Sequence, residues 1–136
     1  MIIDAKDQIL GRLASFAAKK ALLGENVDII NCEKAIITGS KKDVLKRYSF
    51  IRSIGQPTKG PFLPRRPDLF VRRTIRGMLP YKKNRGKNAY SKIKCHMGTP
   101  ENLKGEIVKL EKSHISKLSS LKYMYVEGLC KLLGAK

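Results

Sequence analysis

Between Ile54 and Pro67, six of fourteen residues are Gly or Pro: Gly55, Pro57, Gly60, Pro61, Pro64 and Pro67. Proline fixes φ and lacks the N–H that a helix interior or a central strand needs, so no regular element crosses this stretch. The chain must therefore build elements before it, run through a stiff extended loop, and resume structure beyond Pro67. The loop is also basic, with Lys59, Arg65 and Arg66 and no acid. Such an arm suits a polyanionic surface; the simpler alternative is a plain linker.

What resumes is a helix. Over Asp68 to Leu79, at about 100° per residue, Arg72, Arg73 and Arg76 fall in one sector. Phe70, Val71, Ile75, Met78 and Leu79 spread over the opposite side, with Leu69 as the exception. Gly77 weakens the last turn and Pro80 ends it, and Tyr81 to Gly86 then reads as a short basic loop. Lys82, Lys83, Arg85 and Lys87 bring the 72–87 stretch to seven Lys or Arg in sixteen residues, with no acid. A single basic helix usually means a solvated face. Here the charge is concentrated: Lys59 to Lys94 carries a net +11 in 36 residues, while the other 100 residues carry +7. Self-repulsion of that size is relieved by a polyanion, so the expected partner is nucleic acid.

At 136 residues and 42% hydrophobic, the chain has room for one core and is too apolar to be only a disordered tail. The expected organisation is one domain: an α/β core over 1–53, the basic arm, helix and loop over 54–94, and a C-terminal extension over 95–136. No apolar run approaches the 18 or so residues of a spanning helix, and the acids of MIIDAKDQIL stand where a secretion signal has its basic region. Neither a membrane nor secretion is expected. Cys32, Cys95 and Cys130 are odd in number and scattered, which suggests reduced thiols in a cytosolic protein. With no cysteine or histidine at metal-site spacing, and no context around His96 or His114 for a nucleophile, no metal, cofactor, catalytic residue or small-molecule substrate is expected.

Met1 to Asp4 reads as a first strand and the chain from Gly11 as a helix, with Leu13, Phe16, Ala17, Ala21 and Leu23 on one face and Gly24 closing it. Val27 to Asn31 and Ala35 to Thr38 are compatible with two tightly joined strands or one bent region. Strand, helix and further strands suggest an α/β unit with a partly parallel sheet. Ser40 and Asp43 mark a cap for a second helix, with Val44, Leu45, Tyr48 and Ile51 on its apolar side. The turn Gly39 to Lys42 has a sharper reading, a phosphate contact at a helix N-terminus through Lys41 and Lys42, but it lacks the spacing of a nucleotide-hydrolysing loop. Ile93 to His96 reads as a strand, Asn88 to Ser91 as a helical turn, and Val126 to Leu133 as a last helix ended by Gly134. With no zinc-finger, zipper or RRM aromatic motif, a folded body with a stiff basic arm suits phosphate and shape contacts to structured RNA. The rivals are an RNA-modifying or nucleotide-hydrolysing enzyme using the Gly39–Lys42 turn, and a basic DNA binder.

The motifs LGRLAS (10–15), NCEKAIITG (31–39), Gly60-Pro61, RGMLP (76–80) and Gly98-Thr99-Pro100 stand in an order that resembles the universal large-subunit ribosomal protein L-thirteen family in its archaeal-type form. The likeness covers about residues 1–100 well and the C-terminal third loosely, and departs at Cys95 and His96, where the family usually carries an aliphatic residue and a tyrosine. It implies a three-layer α/β/α fold around a small, mainly parallel sheet, in a structural, cytoplasmic component of the large ribosomal subunit. It further implies contact with large-subunit rRNA and neighbouring ribosomal proteins, and help in early assembly. Its basic helix matches Arg72, Arg73 and Arg76, and its following loop Lys82, Lys83, Arg85 and Lys87.

Overall fold

The computed structural model describes residues 1–103, 105 and 107–135. Four short strands, β1 (Ile2–Asp4), β2 (Val27–Ile30), β4 (Ile93–Cys95) and β5 (Ile107–Val108), form a parallel sheet in the order β4-β2-β1-β5. Among the described residues two further strands, β3 (Ile36–Thr38) and β6 (Tyr123–Tyr125), pair antiparallel. Val27–Asn31 and Ala35–Thr38 thus resolve into two strands serving different sheets, separated by a 3-10 turn at Cys32–Lys34. The fold is α/β and its main sheet is parallel, as the sequence suggests.

Strand alternation sets the core. Ile3 stands opposite Ile29 and Val27 opposite Ile93, and all four are fully buried on one face. On that side helix α1 (Leu10–Leu22) packs against α3 (Pro67–Gly77) and α4 (Asn84–Ser91). Ala14, Ala17, Ala18 and Ala21 are buried along α1, where small side chains let neighbouring elements approach closely. Leu23, expected on that apolar face, is instead 68% exposed: it is the C-cap, one position past the last helical turn, and Gly24 follows at φ +100°. Lys20, within the apolar face by periodicity, reaches the rim and pairs with Glu25 at 2.8 Å.

The last third shares this core. Met124, Val126, Leu129, Cys130 and Leu133 join the cluster that contains Ile3 and Phe70, the last four through helix α5 (Val126–Leu132) and its cap. Helix α2 (Lys41–Ser53) buries Val44 and half-buries Leu45, Tyr48 and Ile51, and its Arg52 Nη1 donates to the Leu133 carbonyl at 2.5 Å. At its start, Ser40 Oγ accepts from the Asp43 N–H at 3.2 Å and donates to the Asp43 carboxylate at 2.6 Å. Ser40→Ala therefore removes a working cap, and urea unfolding is expected to give a loss of about 1 kcal/mol.

The Gly/Pro stretch is not extended throughout. Gln56 and Gly60 close a tight turn, with Gly60 N–H donating to the Gln56 carbonyl at 2.9 Å, and a cis Gly60–Pro61 bond follows. Gly55 makes the turn possible: it sits at φ +97°, and a Cβ there would fall 1.8 Å from the Gly60 carbonyl oxygen. From Pro61 to Arg66 the chain has no regular structure, and Leu63 packs on the core.

Candidate nucleic-acid interface

Helix α3 starts where its sequence dictates. Arg66 is an extended N-cap, Pro67 occupies the first turn, and Asp68 complements the positive end of the helix dipole. Phe70, Val71 and Ile75 are buried, and Phe70 meets Tyr48 edge-on at 5.1 Å between ring centres. The helix stops at Gly77, two residues short of the expected Leu79, with Met78 as cap. Leu79 is still buried, but Met78, expected on the apolar side, is 41% exposed because it caps the helix instead of continuing it.

Its three arginines are half-buried, and each is held by a different part of the chain. The Arg72 guanidinium lies 4.6 Å from the centre of the Tyr90 ring on α4, and its Nε is buried without a hydrogen-bond partner among the described residues. Arg76 lies 5.0 Å from the Tyr81 ring. Arg73 donates to the Phe62 carbonyl, fastening the arm to the helix. Stacking on an aromatic face limits the rotamers of a guanidinium, so Arg76 and Arg72 are both preorganised, but with its Nε buried Arg72 has at most its terminal N–H groups to offer a ligand.

The chain after Pro80 corrects the expected loop. Helix α4 begins at Asn84, so Arg85 and Lys87 stand on its first turns, and only Lys82 and Lys83 belong to the connection. The expected helical turn at Asn88–Ser91 is the second half of this helix. Lys82, Lys83, Arg85 and Lys87 are all exposed, as are Lys59, Arg65 and Arg66 on the arm. Among the described residues, Arg66 is the one member of this group with a carboxylate partner, Asp68 at 2.7 Å. The α3–α4 corner thus combines three held arginines with exposed, mostly unneutralised cations.

Lys41 and Lys42 stand apart. Both are exposed in the first turn of α2, about 18 Å along that helix from its arm end at 1.5 Å per residue. The turn before them is engaged: Ser40 bonds Asp43, and the Gly39 N–H donates to the Lys122 carbonyl at 2.9 Å. Asp43 also places an acid where a bound phosphate would lie. Sequence reasoning misses one nearer cation: Lys19 is exposed on α1 and lines a cleft together with Met78 and Arg85. Helical phase puts it opposite the buried alanines; Arg12, in the same phase, turns away and donates to the Lys112 carbonyl at 3.0 Å.

The thiols are packing groups. Cys32 and Cys130 are fully buried; the hydrogen bond to Cys95, and then burial, push the Cys32 thiol far above its ordinary range. Burial raises Cys130 to about 11. Native protein at pH 8 is expected to resist iodoacetamide at both positions and to react only on unfolding, as read by peptide mass spectrometry.

Residues 1–102 match the family model described as ribosomal protein L13. The chain is similar over nearly its whole length to archaeal proteins named large ribosomal subunit protein uL13. That of Methanococcoides burtonii is 46% identical over 136 residues, covering 99% of this chain and 98% of the relative. That of Methanococcus maripaludis is 46% identical over 140 residues, covering 100% and 98%. That of Haloarcula marismortui is 40% identical over 135 residues, covering 99% and 91%.

Proposed function

The chain belongs to the ribosomal protein L13 family, and we propose that it is a structural constituent of the large ribosomal subunit that binds and orients large-subunit rRNA through its α3–α4 corner. Assembly into the subunit places it in the cytoplasm, beside neighbouring ribosomal proteins. It acts early, while the rRNA is still being folded, and it performs no turnover.

The observation that carries the RNA contact is the stacking of Arg72 on Tyr90 and of Arg76 on Tyr81, beside exposed Lys82, Lys83, Arg85 and Lys87. A rigid guanidinium fork can take two phosphate oxygens in a fixed direction, while lysines on the connection supply point charges that tolerate varied spacing. Contacts of this kind hold a folded RNA in register without reading its bases. Arg73 acts differently: by holding the Phe62 carbonyl it sets the direction in which the arm carries Lys59 and Arg65. Lys41 and Lys42 contact RNA from a separate face, through solvent-exposed ammonium groups at the start of α2.

Competition binding tests this reading. Large-subunit rRNA should outcompete duplex DNA of equal length at 150 mM salt. Equal competition by the DNA would favour a basic DNA binder, and turnover of a nucleotide lost on Lys41→Ala would favour an enzyme.

A further inference from the structure

Between α1 and the α3–α4 corner lies an open cleft of about 480 Å³, within the size range of sites that take one small-molecule-sized group. Its floor is apolar: Leu22, Leu23 and Met78, of which Leu23 is 68% and Met78 41% exposed. Two cations, Lys19 from α1 and Arg85 from α4, line it. Neither has a carboxylate within 4.0 Å among the described residues, and no acid lines the cleft. The two walls touch where Ser15 Oγ on α1 lies 3.4 Å from Met78 Sδ, its single proton shared between that sulfur and the Gly11 carbonyl of its own helix at 3.0 Å.

We infer that this cleft receives one unpaired nucleobase of the large-subunit rRNA, with its flanking phosphates on Lys19 and Arg85. The inference rests on the rRNA-binding reading above. An apolar floor between two cations suits an occupant that is flat and weakly polar in the middle and anionic at its ends. A nucleotide has that distribution; a paired RNA helix does not, because its bases are stacked inside. The polarisable Met78 thioether and the two leucines give a base face dispersion contacts without demanding a particular base. The cleft also continues the corner already described, since Arg85 belongs to both. A strand running along Lys82, Lys83 and Arg85 therefore reaches it without turning back.

The test keeps charge constant. Leu23→Ser with Met78→Ser adds no charge; because Met78 caps α3 and its Sδ accepts from Ser15, Leu23→Ser alone is made beside it, should weaken the same protection, and urea unfolding checks that both variants are folded. Probing of large-subunit rRNA in complex with the full-length chain, with dimethyl sulfate and a carbodiimide for the bases and hydroxyl radical for the backbone, should show one short unpaired site whose base is protected by the wild type. In L23S/M78S that protection should be lost while the backbone footprint stays, with affinity down severalfold from the lost apolar contact and the salt dependence unchanged. Lys19→Gln should lower the slope of log affinity against log salt by about one unit and weaken the same protection. Full wild-type affinity and protection in L23S/M78S would overturn the inference and leave the cleft to a protein neighbour. Absence of any footprint with the wild-type chain would instead overturn the rRNA-binding reading itself.

Discussion

Replacing Lys82, Lys83, Arg85 and Lys87 together by glutamine is expected to leave the fold intact and to remove a large part of the electrostatic hold that the proposed interface has on rRNA. All four side chains are exposed, and among the described residues none pairs with an acid, so no internal contact is lost. Each phosphate neutralised contributes about 0.7 to 0.9 to the slope of log affinity against log salt, so four such contacts contribute about three. Between 50 and 200 mM salt the wild type should therefore lose about a hundredfold more affinity than the variant. Filter binding across that range measures it. The three arginines of α3 are a poorer target for the same question, because Arg72 packs on Tyr90 and Arg73 holds the arm. Alanine at those positions would disturb structure and charge together.

Gly86→Ala should do the reverse, changing no charge yet damaging both stability and binding. A Cβ at Gly86 would lie 2.1 Å from the Pro80 carbonyl oxygen and 2.3 Å from its carbon. Both are backbone atoms of the connection that ends α3, so neither can swing aside. Either the connection lifts off α4 or α4 shifts, and each response separates rings from guanidinium groups: Tyr81 from Arg76, or Tyr90 from Arg72. Overpacking against main chain is expected to cost about 3 kcal/mol in urea unfolding, and rRNA affinity should fall with it. Gly77→Ala is the control. It lies at the end of the same basic helix with nothing within 4 Å of the added carbon, and should be neutral or stabilising by up to about 1 kcal/mol.

The basic helix was legible in the sequence because its signals are local. Amphipathic phase, Pro67 at the start and Gly77-Met78-Leu79-Pro80 at the end lie within one window, and the structure places α3 at Pro67–Gly77. The resemblance to the ribosomal family was equally legible, since its motifs are short and ordered. What escaped is what depends on distant partners. Nothing near Arg72 announces Tyr90, and nothing near Arg73 announces the Phe62 carbonyl, because those contacts exist only once α4 and the arm fold back. The first turn of α4 is weakly signalled because Asn84 and Gly86 are poor helix formers, while the close approach to Pro80 that requires Gly86 is tertiary. The pairing of β3 with β6 across most of the chain was hidden for the same reason. Charge counted by block also missed Lys19, which sits outside the basic stretch in sequence but beside Arg85 in space.

The most direct measurement is where the native protein sediments in a cell lysate as salt is raised. Co-migration with large ribosomal subunits at low salt, with release only at high salt, is the expected result for a ribosomal constituent held chiefly by phosphate contacts. Migration as a free small protein at every salt concentration would contradict it.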